Sequence, residues 1–422
     1  MEAGAHDDPA GLVDHYFRHA YARLVATLAR RFGIGALARV EDAVQEALLT
    51  ALTAWSLKGV PQDPGAWLYQ VAFNTLRDQS RRDGAWRRSA ERLGHDEVTA
   101  PTEPSLRGEI HDDELRMLFV CCDDRLPAPS QLALALKVLC GFSVREVALR
   151  LLTTEENVYK RLTRAREALR EHDLDLDAPP DLDARLPAVH TVLYLLFNEG
   201  YCAASGESLV RHELCREALR LAHMLLTHEG CDTPPGRALV ALFHLQSARL
   251  SPRVDAAGEL LTLAEQDRGE WDREEILLGL RWLQASASGA VFSRYHAEAA
   301  IAAEHALGPS FAETRWDEIA GLYTLLDRTA PSPLNALNRA VALAEAHGAQ
   351  AGLNSLEGVR LPPGLAGYYL WDAVVGDLLR RAGNTAQARV CLSRALAGAP
   401  TEAERALLRR RLASLSDDDP PR

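Results

Sequence analysis

The sequence predicts an all-α protein, and three observations support that. Alanine, leucine and arginine, all good helix formers, dominate the 422 residues. Runs of β-branched residues are scarce. Apolar residues, 47% of the chain, recur at helical spacing between stretches broken by proline, glycine and short polar residues.

The first block spans residues 10–92, with helices expected over 12–32, 40–55 and 66–82. The second of these contains Glu41-Asp42-Ala43-Val44-Gln45-Glu46-Ala47-Leu48. Asp42, Gln45 and Glu46 fall on one helix face, opposite Val44 and Leu48. The third puts Trp67, Leu68, Val71 and Leu76 on a core stripe and turns Asn74, Arg77, Arg81 and Arg82 to solvent, with Trp86, Arg87 and Arg88 just beyond. Six arginines lie between Arg77 and Arg92 against three acids. Arginine reads phosphates and base edges, and exposed aromatics stack on unpaired bases. A charged helix end with core tryptophans has the same composition. Residues 93–109, polar and proline-containing, read as a linker.

The second block, residues 110–171, ends in a helix, a short turn and a second helix. Ser143 and Glu146 have capping-box spacing. Val144, Val147, Ala148 and Leu151 form an apolar stripe. Thr153 and Thr154 break the pattern and offer a second cap, with Glu155 and Glu156 in the first turn, where the helix dipole favours acids. Val158, Leu162, Ala165 and Leu169 then point inward, leaving Lys160, Arg161, Arg164 and Arg166 outward. A helix-turn-helix lays its recognition helix in the major groove of DNA in this arrangement. A merely solvated basic face looks similar.

Residues 172–187, rich in Asp and Pro, read as an acidic extended tether. Residues 188–415 read as a succession of amphipathic helices, with breaks at Pro234-Pro235, Pro252, Pro331, Pro362-Pro363 and Pro400. The stretch Gly383-Asn384-Thr385-Ala386-Gln387-Ala388-Arg389 and the helix after it resemble half of a tetratricopeptide repeat, on a loose period. The SDDDPPR tail is expected to be disordered.

Charge is uneven. The chain carries −12 in total; residues 1–172 hold 23 basic and 25 acidic side chains, and the remainder 24 and 34. That balance argues against a generally adhesive nucleic-acid binder. Seven scattered cysteines include no C-x-x-C, so reduced, buried thiols in a cytoplasmic protein are expected rather than a zinc or thioredoxin-type site. The amino terminus does not read as a secretory signal, and no run reaches the roughly 18 apolar residues of a membrane span. His212-Glu213-Leu214-Cys215-Arg216 begins like a zinc-protease motif but lacks its second histidine. No phosphate-binding loop or nucleophile elbow occurs. The reading is of a protein that is not an enzyme and needs no cofactor or metal.

Together, the motifs at Asp42–Glu46, at residues 66–78 and in the helix-turn-helix resemble the sigma-70 superfamily, in the small extracytoplasmic-function type. The resemblance implies that Asp42, Gln45 and Glu46 dock on the β′ clamp helices of core RNA polymerase. It implies that Asn74, Arg77, Arg81 and Arg82 hold the melted −10 element. It assigns the −35 element to Thr154, Asn157, Lys160, Arg161 and Arg164 and adds the β flap as a second polymerase contact. Asn157 and Tyr159 stand where the usual motif has threonine and lysine. The stretch 189–201 resembles the opening of a long, TPR-like extension found in one group of these factors, and implies control through that extension rather than through a membrane partner. Asn198, Glu199 and Tyr201 are its candidate contacts with the helix-turn-helix block, or ordinary helix-terminal groups with Gly200 as a cap. The extension has two readings, inhibition of the DNA-binding blocks or a required contact with polymerase. The alternative function is a helix-turn-helix regulator whose solenoid senses a ligand or peptide.

Overall fold

The structure, a computed structural model, describes residues 21–82, 113–139, 141–151, 153–171, 181–201, 212–228, 230–253, 260–289, 291–361 and 367–417. The linker 93–109, Trp86, Arg87, Arg88, Cys140, Cys202, most of the acidic stretch and the last residues lie outside these. Among the described residues the regular structure is helical, without a β-strand, as composition predicts. The chain divides into two compact units: residues 1–196 with 227–231, and residues 197–226 with 232–422.

The first unit opens with α1 (Tyr21–Phe32), α2 (Leu37–Lys58) and α3 (Pro64–Arg82). α2 buries Leu37, Val40, Val44, Ala47, Leu48, Ala51 and Trp55 at helical spacing. It stops at Gly59, whose φ of 80° lies in the left-handed region that glycine adopts at no steric cost. Asp63 caps α3 by accepting from the Ala66 amide at 2.9 Å. Trp55 meets Trp67 edge-on at 5.6 Å and Phe32 meets Phe73 at 5.5 Å, closing a small aromatic core.

Four helices follow: α4 (Asp113–Cys121), α5 (Ala128–Val138), α6 (Val144–Arg150) and α7 (Glu155–Glu171). The two halves of this unit touch. Thr27 and Arg30 of α1 bond Asp113 at the start of α4, at 3.2 and 3.3 Å. α7 packs beside the short 3-10 turn Ile34–Ala36.

α8 (Leu182–Tyr201) corrects the expected tether. Its helix begins at Leu182, capped by Asp181, which accepts from the Ala184 amide at 3.2 Å. Pro187 lies inside it, in the second turn. Asp and Pro are helix-opening residues as well as linker residues.

The second unit continues with α9 (His212–Thr227), α10 (Pro234–Ser247), α11 (Arg273–Ser286), α12 (Arg294–Leu307), α13 (Trp316–Thr329), α14 (Pro333–His347), α15 (Ala349–Ser355), α16 (Tyr369–Arg381), α17 (Thr385–Gly398) and α18 (Glu402–Asp417). Neighbouring helices pack in pairs at close range. A Cβ on Gly376 of α16 would meet Leu392 Cγ of α17 at 2.9 Å, and one on Gly352 of α15 would meet the Ala340 carbonyl of α14 at 2.5 Å. The alanine-rich face of α17 buries Ala388, Cys391, Leu392 and Ala395. A groove of about 910 Å³ opens within this unit, with Trp316, Tyr323 and Tyr369 on its walls.

Candidate nucleic-acid interface

The helix-turn-helix is built from local signals. Ser143 Oγ accepts from the Glu146 amide at 3.2 Å, and the Ser143 amide donates to Glu146 Oε2 at 2.7 Å, a complete capping box. α6 ends when the Leu151 amide bonds the Val147 carbonyl and the Thr153 amide bonds the Ala148 carbonyl, at 3.0 and 2.9 Å. Thr154 Oγ1 then accepts from the Asn157 amide at 3.3 Å and opens α7. The inner face of α7 is Val158, Leu162, Ala165 and Leu169, as the spacing predicts.

On the outer face, Thr154, Asn157, Lys160 and Arg164 are exposed and Arg161 is half-buried. These five positions are spaced by one helical turn or its neighbours, so they form one surface at the start of α7. Two local bonds hold it in shape. Asn157 Nδ2 donates to Thr153 Oγ1 at 3.3 Å, and Lys160 pairs with Glu156 at 2.7 Å. Tyr159, 57% exposed, adds an aromatic ring to the same helix.

Arg166 departs from the sequence reading. Its Nη2 lies 2.6 Å from Glu41 Oε2 of α2, and it is half-buried rather than outward. Glu41 is 2% exposed. Burial pushes the Glu41 carboxyl up, and the Arg166 guanidinium opposes that by charge and hydrogen bond; the net shift is upward. Both residues were missed as a pair. The available signal was their position: Glu41 lies four residues after Leu37 and three before Val44, and Arg166 four after Leu162 and three before Leu169, so each sits on an apolar stripe.

On α2, Asp42 and Glu46 are exposed and Gln45 is half-buried. Leu49, 65% exposed, continues the same face. On α3, Asn74 and Arg77 are half-buried and Arg81 is exposed. Asn74 accepts from Gln70 at 3.1 Å, and Arg77 lies 3.7 Å from Asp78. Arg82 is in α3, but its side chain lies outside the described residues.

Asn198, Glu199 and Tyr201 belong to the second unit. Glu199 is fully buried; Tyr201 stacks on Phe197 at 6.2 Å and lies under the Arg253 guanidinium at 3.9 Å. The bond from α8 to the helix-turn-helix half is made by Arg185. Its Nη2 reaches Asp123 Oδ2 at 2.5 Å and its Nη1 donates to the Phe119 carbonyl at 3.2 Å. Arg125 also holds Asp123, at 2.7 and 2.8 Å. Burial pushes the Asp123 carboxyl up, but hydrogen bonds from Arg125 and the charges of Arg185 and Arg125 outweigh it, and the net shift is downward.

Among the described residues no cluster of His, Cys, Asp and Glu is arranged to hold a metal ion, and no helix is long and apolar enough to cross a membrane. Cys121, Cys122, Cys215, Cys231 and Cys391 are buried free thiols. Burial raises the thiols of Cys215 and Cys231 to about 12, so neither is a thiolate at neutral pH.

A capped helix-turn-helix behind a small helical block defines an all-α DNA-binding protein. Residues 17–87 match sigma-70 region 2, residues 116–169 match sigma-70 region 4, and residues 185–287 match DUF6596, a family of unknown function. An uncharacterized protein of Rhizobium meliloti (strain 1021) is 38% identical over 408 residues, which span 93% of this chain and 95% of its own length. No solved structure matches. The chain carries sigma-70 regions 2 and 4, which support a place in the sigma-70 family. Its two sigma regions imply interaction with core RNA polymerase and with promoter DNA.

Proposed function

We propose that this is a sigma factor of the extracytoplasmic-function type, acting in the cytoplasm. In this reading α2 docks on the β′ clamp helices through Asp42, Gln45 and Glu46. α3 holds unpaired −10 bases through Asn74, Arg77, Arg81 and Arg82. α7 enters the major groove of the −35 element with Thr154, Asn157, Lys160, Arg161 and Arg164, while the helix-turn-helix half meets the β flap. Residues 10–92 and 110–171 are the two working domains, joined by linker 93–109. Residues 188–415 form the TPR-like extension, through which activity is controlled.

The observation that carries the reading is the capped start of α7. The Thr154 cap opens α7, and the five polar side chains lie opposite its apolar, buried face. Region 2 lies ahead of it in the same compact unit, in the order a sigma factor needs. An operator-binding regulator with a sensing solenoid would account for α7 but would leave the exposed acidic face of α2 without a role.

Assembly tests the proposal. The full chain should form a stoichiometric complex with core polymerase, and Asp42→Arg with Glu46→Arg should abolish it without unfolding the protein. A chain that binds promoter fragments equally well alone, and never joins core, would favour the regulator. Control through the extension is tested at Arg185, because truncation at residue 188 would cut α8 in two. Arg185→Gln should change transcription while leaving DNA binding by α7 in place. Raised output supports inhibition by the extension; lowered output supports a positive role.

A further inference from the structure

α11 has an inner face that is fully occupied and an outer face that is not. Inside, Gly279 lies so close to α10 that an added Cβ would meet Leu245 Cγ at 2.6 Å. Glu275 Oε2 lies 2.7 Å from His244 Nδ1, His244 Nε2 lies 2.9 Å from His223 Nε2, and Trp282 packs edge-on against His223 at 5.5 Å. These contacts fix the rotation of the helix about its axis.

Outside, Glu274, Leu277, Leu278, Arg281, Gln284 and Ala285 are all exposed. Leu277 is 55% and Leu278 38% exposed, large values for two adjacent leucines on an ordered helix. On another side of the helix, Leu280 and Leu283 border a cleft of about 600 Å³ together with Val291 and Phe292. Val291 and Phe292 are themselves 61% and 44% exposed.

The charges on this face are arranged symmetrically about the leucines. Glu274 lies three residues before Leu277 and Arg281 three after Leu278. At 100° per residue, all four point within about 50° of one direction. If two such helices cross antiparallel with the two-fold axis between Leu277 and Leu278, each residue comes level with the one whose number brings the sum to 555. Glu274 of each copy then faces Arg281 of the other, twice over, while the leucines pack between them. A self-complementary surface of this kind is what a closed two-fold dimer requires.

We propose that the outer face of α11 is a homodimer interface, and that its occupant is a second copy of this chain. The contact is small for a specific interface, roughly 1,000 Å² or less. Association is therefore weak, of micromolar order, and depends on local protein concentration. The pairing lies in the extension and is independent of the sigma-factor reading.

Sedimentation velocity of the full chain, from about 1 to 100 µM, tests it. Wild type should shift from monomer to dimer across that range. Glu274→Arg and Arg281→Glu should each remain monomeric, because each puts like charges opposite each other. The double variant Glu274→Arg/Arg281→Glu should dimerise again. The two single variants mixed in equal amounts should form a heterodimer that neither forms alone, since one then presents two arginines and the other two glutamates. All four positions are exposed, so circular dichroism should show unchanged folds. A monomeric wild type at the highest concentration would overturn the proposal. So would dimers indifferent to both charge reversals, which would place the interface elsewhere. So would a wild type that stays monomeric but loses core polymerase binding on Leu277→Glu, which would assign the face to polymerase.

Discussion

Arg166 of the recognition helix is bonded to Glu41 of α2, at 2.6 Å across 125 residues of sequence. The bond ties the inner edge of α7 to the helix that carries the acidic face. Glu41 Oε1 and Arg166 Nε have no further partner among the described residues. The pair is thus incompletely satisfied, and each half depends on the other. Removing one partner leaves a charge facing a low-dielectric interior. With the Arg166 side chain 30% exposed, Arg166→Ala should lower stability by about 2 kcal/mol. Glu41→Leu/Arg166→Met should be more stable than either single change, measured by urea denaturation. Sequence preference at the −35 element should not change in any of these variants.

Arg161 should behave in the opposite way. It lies on the outer face of α7 and makes no part of the core, so Arg161→Ala should leave the urea midpoint unchanged. It should weaken binding to a −35-containing duplex by about 1–3 kcal/mol if the contact is bidentate to a base. If the contact is to phosphate, the loss should instead be uniform across sequences, with a shallower salt dependence. Fluorescence anisotropy across a salt series distinguishes these.

The cap at Ser143 opens α6, the helix that packs against α7. Ser143→Ala should cost about 1 kcal/mol, because it strands the Glu146 amide. Ser143→Asp should recover most of that cost. Thermal denaturation of the three proteins gives the comparison.

Asp123 is held by two arginines, and its carboxyl is depressed below the ordinary range. The stabilisation it provides is therefore complete above the unfolded-state value of about 4 and is lost as pH falls through the lower folded-state value. Asp123→Asn should destabilise the protein at pH 7 by about 2 kcal/mol, since the half-buried Arg185 then keeps only the Phe119 carbonyl and, at 4.0 Å, Asp124. The penalty should shrink as pH falls through the lowered folded-state value, where the wild-type carboxylate is protonated too.

His190 titrates in the other direction. Burial alone holds it down to about 4, while the unfolded chain takes up its proton near 6.5. Stability is then complete above about pH 6.5 and falls as pH drops toward 4. At pH 5 the loss from this group is about 2 kcal/mol. A His190→Gln variant should lose correspondingly less on going from pH 7.5 to pH 5, read from thermal melts at both values.

The parts of the fold legible in the sequence were those that local signals determine. Ser143, Glu146 and Thr154 mark the ends of α6 and α7 within four residues of the bonds they make, so the helix-turn-helix reads directly. The inner stripe of α7 followed from helical spacing alone. The Arg166–Glu41 bond did not, because its halves are far apart in sequence and a charge on an apolar stripe does not name its partner. The start of α8 was read as a tether because Asp and Pro open helices as readily as they break them. Asp181 caps the helix locally, but Arg185, half-buried, anchors it only once Asp123 is in place beside it. On α3, an arginine-rich end was correctly helical, yet Arg77 is half-buried beside Asp78 rather than freely solvated.

The measurement that bears most directly on the central claim is run-off transcription with core RNA polymerase and the purified full chain, scored across fragmented DNA from its own host. The account predicts discrete transcripts that share one −35 and one −10 element, and predicts that Arg161→Ala weakens them while Arg166→Ala does not alter which promoters are chosen. Absence of any specific start, under conditions where a control sigma factor assembles with the same core and initiates, would contradict it.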